Sequence, residues 1–355
     1  MAGSIPRLRV SGSHREVGRA IGVACAPTLR EAVDFDAQLP DGRSRVDQVT
    51  LADRYRAATL AATPWLVEEI DGAAEGAGVD AHELFAASIE EIWSVRPSQA
   101  TAGVVVDGRC SDLVAGPPAT ADGHLWVAHT NDLSPASRDD VVAIEWVVPG
   151  EPVVFTLGIG PWISIGWNSA GLSLTGNELS PNDEVVGVPR LLMVREQLTA
   201  TSLDEAVGMA LRPDRASSYN TVFATADGGF ANVEGSATDA DVEGLDARGR
   251  FAHTNHYACA RMTRFEGDPA YAERSAVRLA RARELLADAP DGTVDAAWLR
   301  SALADHATTP SICRHPEQDS RVATAFWCVV DVTAGDIRYG LGNPCAGQEA
   351  RFTFE

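Results

Sequence analysis

The 355-residue chain contains no lysine; all 29 of its basic residues are arginine. That removes a lysine Schiff base, a phosphate-loop lysine and a Ser-x-x-Lys nucleophile from the available chemistries. Positive charge is scarce overall, because 50 acidic residues leave a formal net charge of -21. Such a chain lacks the positive face that releases counterions from a nucleic-acid backbone or binds an anionic bilayer, so neither partner is expected. Apolar runs of the roughly 20 residues that cross a bilayer are missing too. The opening MAGSIPRLRV has no signal-peptide core, and a cytoplasmic protein is expected. The six cysteines, at 25, 110, 259, 313, 328 and 345, include no Cys-x-x-Cys pair. Their spacing suggests neither a zinc knuckle nor a disulfide framework, and most are expected to serve as small buried hydrophobes. No Gly-x-Ser-x-Gly elbow or dinucleotide fingerprint occurs, which leaves serine-hydrolase and oxidoreductase readings without a starting point.

What is present falls into two textures. Residues 6 to 11 read as a short strand, and Ser13 is placed to cap a helix beginning in SHREVGRAIGVACAPTLREAV. Apolar residues at three-and-four spacing continue the helical pattern to about Ser98. Beyond Gly103 come short apolar segments such as HLWVAHT, DVVAIEWVV and PVVFTLG, separated by ADG, PGEP and NSAG. Those separators supply residues that tolerate positive φ, and the pattern predicts a largely antiparallel sheet. Two helices at about 189 to 211, strands around TVFATADGGFANVEG, helices at about 271 to 287 and 296 to 305, and a closing β region complete the order. Runs of strands alternating with runs of helices indicate an α+β chain with two sheets and helices outside. The stretch 235 to 250 reads as an exposed acidic excursion, and no repeat or linker is evident.

At the change of texture stands VVVDGRCSDLV, with Cys110 at the lip of a turn. A chain cut before Cys110 would leave 109 residues on one side and 246 on the other, the second starting with a free α-amine on a cysteine. A thiol with a reference pKa of about 8.5 is mostly protonated at neutral pH, while an α-amine titrates near 7.7 to 8.0. One residue would thus hold both the nucleophile and its base.

Several segments then resemble the acyl-coenzyme A:6-aminopenicillanic acid acyltransferase family, the C45 peptidase-like members of the N-terminal nucleophile hydrolases. They are SGSHREVGRAIG (11 to 22), DGRCS, GHLWVAHTNDLSP (123 to 135), ISIGWNSAGLSLTGNEL (163 to 179), FAHTNHY (251 to 257) and SICRHP (311 to 316), in the family's order. The resemblance implies a four-layer αββα sandwich made as an inactive precursor that cuts itself at Arg109-Cys110. Residues 1–109 would become a mostly helical small chain and 110–355 a strand-rich large chain, associated as one αββα unit. Cys110 would be the nucleophile, Asp132 the orienter of its amine, Asn177 and Asn255 the stabilisers of an oxyanion, and Arg314 a pocket arginine. The chain departs from the pattern in having Arg109 where glycine usually precedes the nucleophile, and Asn131 where an aromatic is common.

The implied substrate is a small-molecule amide or acyl thioester, with the acyl group carried as a Cys110 thioester to water (amidohydrolase) or to an amine (acyl-CoA-dependent N-acyltransferase). Two other readings stay open: a thiol hydrolase with Cys110 mid-chain, activated by His253 or His256, and a non-catalytic binding scaffold. No cofactor is expected. His253, His256 and Cys259, spaced three and three, match no strong zinc pattern, so no metal is expected either.

Overall fold

The computed structural model describes residues 4–40, 42–93, 110–316 and 322–354. Arg109, on the amino side of the expected cut, lies outside the described residues.

Two sheets stack face to face. The first contains eight strands in the order β1 (Arg7–Ser11), β4 (Val141–Val147), β5 (Val154–Ile159), β6 (Trp162–Asn168), β7 (Leu172–Asn177), β8 (Asn220–Thr225), β9 (Phe230–Gly235) and β10 (Ala240–Glu243). The second contains six, in the order β11 (Arg250–His253), β2 (Cys110–Ala115), β3 (Trp126–Leu133), β12 (Ala323–Asp331), β13 (Asp336–Leu341) and β14 (Ala350–Phe352). Neighbours pair antiparallel except β1 and β4, whose parallel pairing adds the amino-terminal strand to the edge of a sheet built by later residues. Between the sheets lie Val114 and Val127 of one and Val141, Phe155 and Val222 of the other, all buried.

Helices cover both outer faces. On the eight-stranded sheet, Val17 and Ile21 of α1 (His14–Ala24), Val194 of α6 (Arg190–Gln197) and Ala206 of α7 (Leu203–Ala210) pack on Val142, Ile144 and Trp146. A helical group of α2 (Ala26–Ala32), α3 (Arg45–Ala62), α4 (Pro64–Ala77) and α5 (Ala81–Ala87) has its own core around Phe35, Leu66 and Phe85. On the six-stranded sheet, Leu279 and Leu286 of α8 (Pro269–Asp288) and Leu299 of α9 (Ala296–Leu303) meet Leu113, Trp126 and Trp327. The layers are therefore helix, sheet, sheet, helix, and the expected αββα sandwich is the fold found.

The glycines of the amino-terminal segment serve helix packing. A Cβ on Gly18 would lie 2.1 Å from the Glu69 carbonyl oxygen and one on Gly22 2.1 Å from that of Ala73. Reciprocally, a Cβ on Gly72 or Gly76 of α4 would lie 2.2 Å from the carbonyl oxygen of Arg15 or Arg19 in α1. Backbones of α1 and α4 thus touch, which only glycine permits at these sites. Ser13 closes a capping box with Glu16 at the start of α1, as the sequence predicts.

Two details differ from the expectations. The acidic stretch 235 to 250 includes the edge strand β10, paired with β9, because Val242 and its neighbours extend the sheet before the chain turns away. Of the six cysteines only Cys110, Cys313 and Cys328 are buried, and Cys345 is exposed.

Candidate active site

Cys110 opens β2 and pairs across the sheet with Asn131 of β3, while Asp112 pairs with His129. Alternation along a strand puts Cys110, Asp112 and Val114 on the face toward the other sheet, and Ser111, Leu113 and Ala115 toward α8 and α9. The thiol lines a pocket between the sheets with Asn131, Asn177 and the apolar side chains of Leu133, Trp162, Ile163 and Leu191. Trp162 serves both as core and as wall of this pocket, whereas Trp167 packs in the core against Phe155 and does not line it.

The cysteine's backbone nitrogen is held from a distant part of the chain. Its N–H donates to Asn255 Oδ1 at 2.8 Å, and Asn255 Nδ2 donates to the Glu178 carbonyl at 3.1 Å. The buried Arg278 of α8 completes this clamp: Nη1 donates to the Cys110 carbonyl at 2.5 Å and to Ser111 Oγ at 2.8 Å, and Nη2 donates to Asn255 Oδ1 at 2.8 Å. Burial pulls the Arg278 guanidinium below its ordinary pKa, against the opposing charge of Asp132.

Asp132 lies fully buried, with Oδ1 accepting from Thr324 Oγ1 at 2.7 Å and Oδ2 without a partner. Burial pushes its pKa up to about 6, against the charges of Arg314 and Arg278, the Thr324 hydroxyl and His129. The Arg314 backbone N–H donates to the same Thr324 hydroxyl at 3.0 Å, so Arg314 and Asp132 share one tether. The register of β12 slips between Thr324 and Phe326, a bulge of the kind that re-aims side chains beside a functional site.

Asn177 also lines the pocket. Its Oδ1 accepts from Asn220 Nδ2 at 3.0 Å and meets His253 Nδ1 at 2.9 Å, which leaves Nδ2 buried without a partner. His253 is fixed in turn by Glu234, its Nε2 standing 2.7 Å from Oε1. It therefore orients Asn177 instead of facing the thiol. His256 bonds to Ser275 Oγ, and burial lowers its pKa to about 4.

The imidazole beside the thiol is one the sequence did not single out. His129 Nδ1 stands 2.9 Å from Asp112 Oδ1, both side chains are fully buried, and Thr175 Oγ1 donates to the same Asp112 oxygen at 2.6 Å. Burial pulls the His129 pKa down most strongly, yet Asp112, and then the Cys110 sulfur, outweigh it and hold the pKa at about 10. Nε2 has no hydrogen-bond partner among the described residues, while the Cys110 side chain lies close enough to raise the His129 pKa. Asn131 Nδ2 donates weakly to Cys110 Sγ at 3.7 Å. Arg278, His129 and Asp112 carry no local motif; only the strand register and the packing of the middle of α8 on β2 unite them with Cys110.

The family model described as acyl-coenzyme A:6-aminopenicillanic acid acyl-transferase matches residues 119–346, which include Asp132, Asn177, Asn255 and Arg314. The acyl-coenzyme A:6-aminopenicillanic-acid-acyltransferase 40 kDa form of Emericella nidulans is 25% identical over 346 residues, covering 94% of this chain and 91% of that protein. Among solved structures, a variant of the conjugated bile acid hydrolase from Clostridium perfringens aligns with a TM-score of 0.45 at 12% identity, over 69% of this chain and 97% of the other. Penicillin V acylase from Agrobacterium tumefaciens aligns with a TM-score of 0.42 at 13% identity, over 69% of this chain and 86% of the other. With well over half of its residues matched to one family model, the chain belongs to the acyl-coenzyme A:6-aminopenicillanic acid acyltransferase family.

Proposed function

We propose that this protein is a self-processing cysteine N-terminal nucleophile enzyme that cleaves an amide bond, or transfers its acyl group, through a thioester on Cys110. The observation that carries the reading is the clamp on one residue. The sulfur of Cys110 lines the pocket while its backbone nitrogen is gripped by Asn255, and its carbonyl by Arg278.

In the precursor the Cys110 nitrogen is an amide and cannot act as a base. Attack of Sγ on the Arg109 carbonyl forms a thioester and moves the acyl group from nitrogen to sulfur. That shift breaks the C–N bond and frees the Cys110 amine, which takes up the thiol proton, and water then hydrolyses the thioester to a carboxylate on Arg109 and the restored Cys110 thiol. The imidazolium of His129, held charged by Asp112, stabilises the negative charge that builds on the adjacent sulfur. Fragments 1–109 and 110–355 stay together because β1 is a strand of the larger fragment's sheet.

In the mature enzyme the α-amine takes the thiol proton as sulfur attacks the substrate carbonyl. Asn177 Nδ2, buried and unpartnered, is the candidate donor to the oxyanion, a contribution typically of about 2.7–4 kcal/mol. Asp132 and Arg314 set the charge around the amine, and Asn255, expected from the sequence to stabilise the oxyanion, holds the nitrogen, its Nδ2 donating to the Glu178 carbonyl. The amine then returns the proton to the leaving nitrogen, and water or an acceptor amine discharges the thioester. Leu133, Trp162, Ile163 and Leu191 favour an apolar acyl group in a small molecule.

A panel of N-acyl amides and acyl thioesters, each with and without an amine acceptor, tests the reading. Mass spectrometry is expected to find the acyl group on the peptide beginning with Cys110. Product that requires the acceptor assigns transfer, product without it assigns hydrolysis, and acylation elsewhere contradicts the scheme. The thiol-hydrolase alternative has an imidazole available only in His129, since His253 and His256 are bonded elsewhere.

A further inference from the structure

A second cluster of reactive side chains lies apart from Cys110. His306 follows α9, Cys313 and His315 occupy the loop before β12, and Cys345 lies between β13 and β14. One ligand atom from each meets the other three within 4.8 Å.

The separations have the shape of a coordination shell. Cys313 Sγ stands 3.6 Å from Cys345 Sγ, His315 Nε2 lies 3.6 Å and 3.3 Å from those two sulfurs, and 3.1 Å separates the Nε2 atoms of His315 and His306. A tetrahedral zinc with Zn–S near 2.3 Å and Zn–N near 2.0–2.1 Å requires edges of about 3.8 Å between sulfurs, about 3.6 Å between sulfur and nitrogen, and about 3.4 Å between nitrogens. Four of the six edges fall within about 0.3 Å of those figures, and the two from His306 to the sulfurs are no longer than 4.8 Å. All four donors are soft or borderline, a set that suits zinc over calcium or magnesium. Two thiolates balance the dication, and four protein ligands close the shell, as in structural sites rather than catalytic ones.

Outer contacts support the same arrangement. Asn343 Nδ2 donates to Cys313 Sγ at 3.4 Å and to the Arg314 carbonyl at 2.6 Å, and Arg138 Nη2 fixes Asn343 by donating to its Oδ1 at 2.9 Å. The Cys313 N–H donates to the Asp305 carbonyl at 3.0 Å, drawing His306 toward the loop. Such second contacts orient ligands before the ion arrives.

We propose that His306, Cys313, His315 and Cys345 bind one zinc ion that pins the loop carrying Arg314. Binding releases the two thiol protons to solvent. Cys313 and His315 flank Arg314, whose N–H donates to the Thr324 hydroxyl that holds Asp132. Metal would thereby steady the far side of the Cys110 site. That consequence rests on the function proposed above, whereas the metal assignment does not.

The test uses the whole chain, purified without a histidine tag under reducing conditions. Elemental analysis is expected to find about one zinc per chain. Cobalt replacing it is expected to give a thiolate-to-cobalt charge-transfer band and tetrahedral d–d bands. Cys345→Ser, at an exposed position, and His306→Ala are each expected to lose most of the zinc and change the cobalt spectrum. Chelation is expected to lower the thermal midpoint of the wild type and leave that of Cys345→Ser unmoved. Should both variants fail to fold, zinc content and the cobalt spectrum of the wild type decide. Protein that carries no zinc and gives no tetrahedral cobalt spectrum, or zinc that persists when Cys345→Ser and His306→Ala are combined, would overturn the proposal.

Discussion

Asn255 Oδ1 accepts the backbone N–H of Cys110 at 2.8 Å, across 145 residues of sequence. The nitrogen that the proposed mechanism turns into a base is thus already placed while it is still an amide. Asn255 also accepts from Arg278, so its oxygen serves two buried donors. Removing it orphans both.

Asn255→Ala is therefore expected to cost about 2–3 kcal/mol, the usual penalty for leaving buried donors unpaired. Urea unfolding in a Cys110→Ala background isolates this loss from any effect of processing. An unchanged midpoint would mean that the clamp contributes nothing to the fold.

His129→Gln and Asp112→Asn remove the imidazolium beside the thiol while keeping near-isosteric side chains. Self-cleavage, followed over time by denaturing electrophoresis, is expected to slow by about 100-fold, the low end of what positioned charge and proton transfer contribute. Cleavage at the wild-type rate would leave the pair a structural role only.

Helix contact gives a prediction independent of chemistry. Gly18→Ala places a Cβ 2.1 Å from the Glu69 carbonyl, so α1 must move away from α4. A loss of about 1–3 kcal/mol is expected from such overpacking. Gly208, with open space around it, is the control, and Gly208→Ala on α7 is expected to be neutral or slightly stabilising.

His14 joins the same helices. Its ring stacks on Trp65, with Nδ1 2.8 Å from Glu69 Oε1 and Nε2 3.1 Å from Glu151 Oε1. Burial lowers its pKa, but bonds and charges from Glu151 and Glu69 outweigh that and raise it to about 9. A pKa raised in the folded state gives stability that is fully present below the unfolded value of about 6.5 and is lost as pH rises through 9. His14→Gln is expected to cost roughly 1–2 kcal/mol at pH 6, after screening at this half-buried site, and to flatten the decline between pH 6.5 and 9. Parallel stability curves for the two proteins across that range would refute the pairing.

Local chemistry made much of the sandwich legible. Turn residues at ADG and PGEP gave hairpins because Gly123 and Gly150 take φ of +76° and +88°, and Ser13 began α1 as its capping box requires. The resemblance brought Cys110, Asp132, Asn177, Asn255 and Arg314 into view, and the fold gathers all five around the start of β2 or the tether at Thr324. Arg278 escaped notice because an arginine on an amphipathic helix ordinarily faces water, whereas this one is fully buried under Cys110. The His129–Asp112 pair is set by strand register, which no spacing within either segment encodes. Residues 306, 313, 315 and 345 escaped for a related reason: the four come from three stretches, and only the packing of α9 against β12 and the turn after β13 brings them together.

The scheme depends most on the state of the bond before Cys110, which intact-mass measurement and amino-terminal sequencing of freshly purified, active protein read directly. The account predicts two associated chains of 109 and 246 residues, the larger beginning at Cys110, and a single 37.6 kDa chain from Cys110→Ala. Full activity in wild-type protein whose Arg109-Cys110 bond is intact would contradict it.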